Sequence, residues 1–475
     1  MTIEMPELEQ LTVDEFAGEI IKQPSAGHDG DISRARCILT LPDELLSKIL
    51  DYSILFQPMN SWSESPLRSG YDPARIMTVA LTCRRFSQIV VPFYYRKTFS
   101  DYVMKLIPPD SRLELLLCTL QANPSLGLHC RVLNSFLPDK GNHEEPGGGC
   151  GLAEQLPALV PNIKRVYLRG CFGKARNKQA WTFLTACVRH MHQLEDVALQ
   201  RQAREGLEVA DFLAAFQGSS LKELRVGGFA KSRSRLEDLK VQKTSSLKIM
   251  ELEGFSDNAE ALRILLSWPE ALSSFRLSGS FSDGLYIDLP MVKDMLFQHR
   301  NSLVSLDIGN LPREGKAKLC DFSEFSVLEK LSLSRWHFGE SREKLPDSQQ
   351  IFENCLSPPR LRKFTWTFSM MDLAWPQWYD FEHEEESWVR NLAQTAIARK
   401  SLLRKIRISY YPLTLGNPEL DYDYPWDRMD ALNEEFQPHG IAITYTKPPT
   451  TREKWAWDRA NADAIRHINR LSLIG

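Results

Sequence analysis

One six-residue pattern, apolar-x-x-apolar-x-apolar, recurs at least nine times between Ile163 and Ile408 and constrains the fold more than any other feature. The copies are IKRVYL from Ile163, LEDVAL from Leu194, LKELRV from Leu221, LKIMEL from Leu247, LSSFRL from Leu272, LVSLDI from Leu303, LEKLSL from Leu328, LRKFTW from Leu361 and LRKIRI from Leu403. Their starts lie roughly 25 to 42 residues apart. A spacing in this range indicates a repeat protein.

The last four residues of each copy alternate apolar and polar, which is the period of a half-buried strand. Apolar residues at helical spacing lie between the copies: Trp181, Leu184, Val188 and Met191, then Phe212, Leu213 and Phe216, then Leu262, Leu265 and Leu266. A unit of one strand and one returning helix cannot bury its apolar face alone, so the units are expected to stack. The pattern predicts an α/β fold with parallel strands inside and helices outside. An ordinary, non-repetitive α/β fold is the alternative.

Composition and charge exclude several classes of protein. The chain has 475 residues, 43% of them hydrophobic and 25% charged, with a net charge of -3, so we expect neither a nucleic-acid-binding nor a membrane protein. It has no apolar run near the ~20 residues of a membrane span and no signal-peptide start, which predicts the cytoplasm, the nucleus or both. Nine cysteines without a C-x-x-C pair indicate buried thiols rather than disulfides or zinc ligands.

The N-terminal region begins with a polar arm, residues 1–36, which we expect to be disordered. Proline and carboxylates in Leu41-Pro42-Asp43-Glu44 then predict a helix start. Leu45, Leu46, Ile49 and Leu50 form one apolar stripe on that helix. A second helix is predicted from Met77 to Val90, ended by Pro92.

These helical segments, LPDELLSKIL followed by VALTCRRFSQIVVPFYYRKTF, resemble the F-box, over residues 37–100. The resemblance implies docking to the Skp-family adaptor of a ubiquitin ligase, and through it to a cullin. It assigns this contact to a set of residues on both helices: Leu41, Pro42, Leu45, Ile49, Leu50, Cys83 and Phe86. The alternative is a helical cap that only shields the first repeat.

The repeated pattern is similar to the leucine-rich repeat in its longer, helix-bearing form, and it assigns residues 126–447 to an irregular solenoid. Its irregular intervals resemble those of fungal F-box proteins. Residues 101–125 are predicted to form a connecting helix. Residues 448–475 are predicted to form a C-terminal capping helix, opened by a capping box of Thr450 and Glu453 and carrying Trp457 on its apolar face.

Polar positions between the inward residues of each strand are expected to form columns across the sheet, about 4.8 Å apart. The central column is Tyr167, Ala198, Arg225, Glu251, Arg276, Asp307, Ser332, Thr365 and Arg407. Its alternating charges are expected to neutralise one another. The neighbouring column ends in Lys330, Lys363 and Lys405, beside Arg407. These cations either pair with the acidic residues 382–386 or bind an acidic partner.

Aromatic residues concentrate in two long segments, 369–387 and 410–429. Trp375, Trp378 and Tyr410 are either anchors for a bound protein or members of local clusters that cover the core. Our hypothesis joins them to Lys330, Lys363, Lys405 and Arg407 as a substrate-binding surface.

The sequence matches no motif typical of catalysis, metal binding or cofactor binding, so we expect no enzyme activity and no cofactor. The combined resemblance implies the substrate-recognition adaptor of a Skp-cullin-F-box ubiquitin ligase, which acts by bringing a bound protein close to the charged enzyme. A non-degradative F-box scaffold is the alternative. A catalytic repeat protein would require an acidic or His/Cys pocket on the strand face.

Overall fold

The computed structural model describes residues 41–55, 73–100, 109–137, 155–170, 178–201, 207–230, 243–278, 287–311, 320–338, 345–368, 381–410, 424–448 and 450–461. The chain forms two compact units that divide at Val90. The predicted arm of residues 1–36 lies outside the described residues.

The first unit is helical. Helix α1 is Asp43–Leu55, α2 is Pro73–Ala80, and α3, Arg84–Arg96, begins in this unit. The prediction of one helix from Met77 to Val90 is wrong, because the chain turns between α2 and α3. The Thr82 hydroxyl donates to the carbonyl of Val79 at 2.7 Å, and the Cys83 sulfur accepts from the Phe86 amide at 3.4 Å. These bonds end one helix and begin the next.

Pro92 does not end α3, which continues to Arg96. Proline removes one backbone hydrogen bond from a helix. The other turns keep their hydrogen bonds, so the helix can continue past Pro92. The prediction that Pro92 is the helix terminus is therefore wrong.

The second unit is built on one parallel sheet of twelve strands, whose spatial order is their order in the chain. The strands are β1 Lys97–Ser100, β2 Val132–Leu137, β3 Arg165–Gly170, β4 Asp196–Arg201, β5 Glu223–Gly227, β6 Ile249–Glu253, β7 Ser274–Ser278, β8 Ser305–Ile308, β9 Lys330–Ser334, β10 Lys363–Phe368, β11 Lys405–Tyr410 and β12 Ala442–Tyr445. All nine strands predicted from the repeated pattern are present, and so is the final strand predicted over residues 440–446. The predicted α/β fold with parallel strands is confirmed.

Helices connect most of the strands, as parallel pairing requires. They are α4 Pro109–Ala122, α5 Pro124–Gly127, α6 Leu156–Leu159, α7 Lys178–His190, α8 Val209–Ala215, α9 Ala259–Ser267, α10 Leu289–Leu296, α11 Ser348–Asn354, α12 His383–Ala398, α13 Pro425–Phe436 and α14 Arg452–Ala460, with short 3₁₀ turns at Phe297–His299, Arg335–Phe338 and Gln437–His439. Gly127 shows how closely they pack, because a Cβ atom there would lie 2.0 Å from the carbonyl oxygen of Leu159.

One hydrophobic core joins the inward residues of the strands to the buried faces of the helices. The first apolar residue of every copy of the pattern is buried, from Ile163 to Leu403. The predicted helix residues Phe212, Leu213 and Phe216, and likewise Leu262, Leu265 and Leu266, are fully buried. On α7 the buried residues include Phe183 and Cys187, whereas Trp181 and Val188 are only half-buried.

Strands β1 and β2 were not predicted from the pattern. In β2 the last apolar position is Ser135, which stands in register with Leu168 of β3. Ser135 and Leu133, the preceding residue of the same inward row, are both buried. The buried hydroxyl of Ser135 therefore occupies a position that is apolar in the other copies. For this reason the sequence of β2 does not match the repeated pattern.

The C-terminal helix α14 begins one residue later than predicted. The hydroxyl that accepts a backbone bond at its start is that of Thr451, from the Lys454 amide at 3.3 Å. Thr450 is buried beside it. The inward aromatic residue is Trp455, and Trp457 is exposed, so the predicted box and face are wrong by one or two positions. Residues 462–475 lie outside the described part of the chain.

Substitution of an inward leucine in the middle of the sheet tests the shared core. We expect Leu252→Ala to lower the free energy of unfolding by about 3 kcal/mol, because it leaves a cavity that its neighbours cannot fill. Leu402→Ala is the control, since Leu402 is 45% exposed. Urea unfolding of both variants measures the difference. Equal midpoints would contradict the assignment of Leu252 to the core.

Candidate functional site

The apolar stripe predicted on α1 is divided between the interior and the surface. Leu46 and Leu50 are buried, with Leu50 only 7% exposed. Leu45 and Ile49, one helical turn apart, are 47% and 44% exposed. The assignment of Leu50 to a docking surface is wrong, because its side chain is part of the core. Leu45 and Ile49 are available to a partner.

Arg85 connects the two halves of the sequence motif in this unit. Its Nη2 donates to the carbonyl oxygen of Leu41 and to Oδ1 of Asp43, both at 2.6 Å, and its Nε donates to the same carboxylate oxygen at 2.8 Å. The N-terminus of α1 is therefore fixed to the first turn of α3. Sequence reasoning missed Arg85, although it lies between the predicted residues Cys83 and Phe86.

The other predicted residues of the docking set differ in exposure. Pro42 is exposed, and Leu41, Cys83 and Phe86 are half-buried. The Cys83 sulfur accepts a hydrogen bond within the chain, which gives this residue a local role in starting α3.

Two further exposed apolar residues belong to this unit and were not predicted as docking residues. Met77 on α2 is 50% exposed, and Leu81, in the turn after α2, is 80% exposed. Large apolar side chains exposed on both α1 and α2 are typical of a protein-docking surface. Met77 and Leu81 do not fall at the helical spacing of the buried residues. That mismatch could have identified them from the sequence.

The second candidate surface is the open face of the sheet, which we define as the alternate strand residues that point away from the core. The predicted central column is confirmed by the strand register, which pairs each member with the next from Tyr167 to Arg407. The expected neutralisation is also confirmed. Arg225 lies 3.6 Å from Glu251, and Arg276 lies 3.4 Å from Asp307.

Carboxylates outnumber cations at β4 to β6. Arg225 contacts Glu223 at 2.8 Å and Asp196 at 3.4 Å. Asp196 is buried, and burial raises the pKa of its carboxyl group, although the nearby Arg225 opposes the rise. The Tyr167 hydroxyl donates to Asp196 at 3.3 Å. These residues form a mutually bonded network rather than an unoccupied site.

The opposite charge accumulates at β9 to β11. Lys330, Lys363 and Lys405 are consecutive in register, and Arg407 lies two residues beyond Lys405 on the same face. We call these four residues the basic cluster. None of their side chains makes a hydrogen bond or ion pair with another residue in the described part of the chain.

The acidic residues 382–386 do not neutralise the basic cluster, so that interpretation is wrong. They begin α12, where their carboxylates have other partners. Glu384 accepts from the Leu345 amide at 2.7 Å, Glu385 lies 3.3 Å from Arg335, and Glu386 lies 2.7 Å from Arg390. Glu382 accepts from a backbone amide in a capping box with Glu385.

The electrostatic environment of Lys363 reflects the missing counter-charge. Its pKa lies below the ordinary lysine value, first because of partial burial and then because of repulsion from Arg407, Lys405 and Lys330. Asp307 opposes this effect, but its carboxylate contacts Arg276. Among the described residues, the cluster is thus a region of positive potential without a paired carboxylate.

Several aromatic residues described in the C-terminal third form packed clusters, whereas Trp457 is exposed. Tyr410, the last residue of β11, is 1% exposed, and its ring lies 5.7 Å from that of Phe368 and 5.6 Å from that of Trp426. The assignment of Tyr410 to a binding surface is wrong, because it follows the inward period of its strand. Trp375 and Trp378 lie outside the described residues.

One buried imidazole, that of His299, has backbone partners at both ring nitrogens. His299 is buried, its Nε2 lies 2.8 Å from the Leu266 carbonyl oxygen, and its Nδ1 accepts from the Leu272 amide at 3.3 Å. Burial lowers the pKa of this imidazole. Among the described residues, no group of three or more His, Cys, Asp or Glu side chains could hold a metal ion. No described helix has the length and apolar character needed to cross a membrane.

Comparison with known proteins leaves the family open. No family model matches this sequence, and no curated protein sequence matches it significantly.

Removal of one charge from the basic cluster is expected to stabilise the fold. Lys363→Thr should raise the free energy of unfolding by about 0.5 kcal/mol at low salt, because it relieves repulsion between neighbouring strands. The gain should shrink as salt is added. It should also shrink as the pH rises toward the ordinary pKa of lysine, because the folded-state pKa is depressed and Lys363 then loses its charge.

Lys222→Thr is the matched control for this measurement, since the Lys222 ammonium lies 2.9 Å from Glu195. We expect no gain in stability for this variant at any pH. Chemical unfolding at several salt concentrations and pH values compares the two. A gain of equal size in both variants would contradict mutual repulsion in the basic cluster.

Proposed function

We propose that this protein is the substrate-recognition adaptor of a Skp-cullin-F-box ubiquitin ligase, acting in the cytoplasm, the nucleus or both. In this proposal the N-terminal unit is an F-box that docks the Skp-family adaptor. The second unit is an irregular leucine-rich-repeat solenoid that binds a target protein.

The observation that carries the proposal is the apolar surface of the N-terminal unit. Leu45 and Ile49 are exposed on α1, in the sequence segment that resembles the first half of the F-box. Arg85, in the second half, fixes that helix by three hydrogen bonds. A surface of exposed leucine and isoleucine is costly in water unless a partner covers it.

The second unit supports the proposal by its sheet. Twelve parallel strands in chain order, with helices between them, are the arrangement expected of stacked repeats. The strand residues opposite the core form a polar face with separate regions of negative and positive charge. Such a face is suited to select one protein by complementary charge.

The mechanism requires no catalytic group in this chain. Binding the target and the ligase at once replaces a bimolecular encounter by a local one, which raises the effective concentration of the target at the ubiquitin-charged enzyme. The described histidines and cysteines need have only structural roles in this mechanism.

Co-purification of the full chain with a Skp-family adaptor tests the docking surface. We expect Leu45→Ser with Ile49→Ser to weaken adaptor binding by about 10- to 100-fold, because two apolar contacts are lost. The matched control is Leu115→Ser with Leu402→Ser, since these leucines are 67% and 45% exposed on the second unit. It should bind like the unmodified chain.

Failure of the unmodified chain to bind any Skp-family adaptor would refute the proposal and leave the N-terminal unit as a cap. Turnover separates degradation from scaffolding. If a captured protein is degraded equally fast with the unmodified chain and with the Leu45→Ser, Ile49→Ser variant, the non-degradative scaffold is the correct function.

A further inference from the structure

The basic cluster is a set of like charges held close together on the open face of the sheet. Adjacent strands lie about 4.8 Å apart, so Lys330, Lys363 and Lys405 are each neighbours of another lysine. Cations at this spacing repel one another, and this repulsion adds to partial burial in lowering the pKa of Lys363. The fold gains nothing from this arrangement.

Elsewhere on the open face, cations of the central column have carboxylate neighbours. Arg225 contacts Glu223, and Arg276 contacts Asp307. The same sheet could therefore have neutralised the lysines with one acidic residue in the next strand. The adjacent outward positions instead carry small hydroxyl residues, Ser332 and Thr365, which leave room beside the cations and can donate hydrogen bonds.

We propose that the basic cluster binds a short acidic segment of the protein that this chain recruits. The segment presents anionic oxygens, either from aspartate and glutamate or from phosphorylated side chains, to Lys330, Lys363, Lys405 and Arg407. This inference rests on the proposed function, because it names the kind of target that the sheet selects. Binding supplies a counter-charge that the described residues do not provide at this place.

The extent of the cluster favours a short segment over a nucleic acid. Three strands span only about 10 Å across the sheet. The adjoining strand β8 carries Asp307, and β6 carries Glu251 and Glu253 on the same face. A long polyanion that continued across the sheet would meet these carboxylates.

Fluorescence anisotropy with labelled peptides tests the inference on the full chain. The probes are a peptide with glutamate at alternate positions, whose same-side carboxylates are about 6.8 Å apart when extended, and a second peptide with phosphoserine in place of glutamate. We expect both peptides to bind, with affinity that falls between about 50 mM and 200 mM salt. The peptide that binds more tightly shows whether the anionic oxygens come from carboxylates or from phosphorylated side chains.

Charge-matched variants locate the site. Lys330→Thr, Lys363→Thr and Lys405→Thr together should weaken binding by about 10- to 100-fold, because three charge contacts are lost. The control combines Lys164→Thr, Lys222→Thr and Lys248→Thr, which removes the same charge from exposed lysines near β3, β5 and β6. This control variant should weaken peptide binding by less than about threefold, because it changes only the net charge of the protein.

Three results would overturn the inference: no binding of either peptide, equal losses in the two triple variants, or tighter binding of a single-stranded oligonucleotide that depends on the same lysines. Adaptor co-purification with the same variants separates this inference from the proposed function. A cluster variant that still binds the Skp-family adaptor and loses the peptide supports the inference. A chain that binds peptide but no adaptor refutes the ubiquitin-ligase role alone.

Discussion

The structure of the second unit depends on one constraint, which is that a single strand with its helix cannot bury its inward row and needs the rows and helices of neighbouring units. In-register pairing places Leu306 beside Leu331, and Leu331 beside Phe364. The helices return the chain so that the next strand adds in the same direction. Twelve strands in chain order follow from repeating this step, and the alternate residues are left on the open face.

Packing in the C-terminal third supports the charged surface above it. Strand β10 carries Lys363 on the open face and Phe364 and Trp366 in the core. The Trp366 ring lies 4.4 Å from that of Trp388 on α12, and the ring of Phe338 lies 5.4 Å from Trp388. A close-packed aromatic core resists displacement of the strands. It therefore holds the lysines at a spacing that repulsion alone would increase.

Helix α12 joins this core to a set of ion pairs. Its Glu385 contacts the buried Arg335, and its Glu386 contacts Arg390 and the buried Arg428. A buried cation needs such a partner, because an unpaired charge in the interior costs several kcal/mol. The acidic start of α12 is therefore paired within the protein and does not neutralise the basic cluster.

Sequence periodicity alone determined nine strands, the inward and outward rows and the columns of charge, because the two-residue alternation of a strand is a local property. It did not distinguish Ile49 from Leu50. Apolar character is the same in both cases, and only the elements packed on each face decide which is covered.

Tertiary structure likewise decided the partners of the charged groups. Arg85 bonds to residues more than 40 positions away, and Glu385 bonds to Arg335, 50 positions away. Strand β2 formed despite Ser135, because register with β3 outweighed one polar residue in the inward row. Hydrogen bonds and ion pairs depend on distance in space, which the spacing of residues along the chain does not encode.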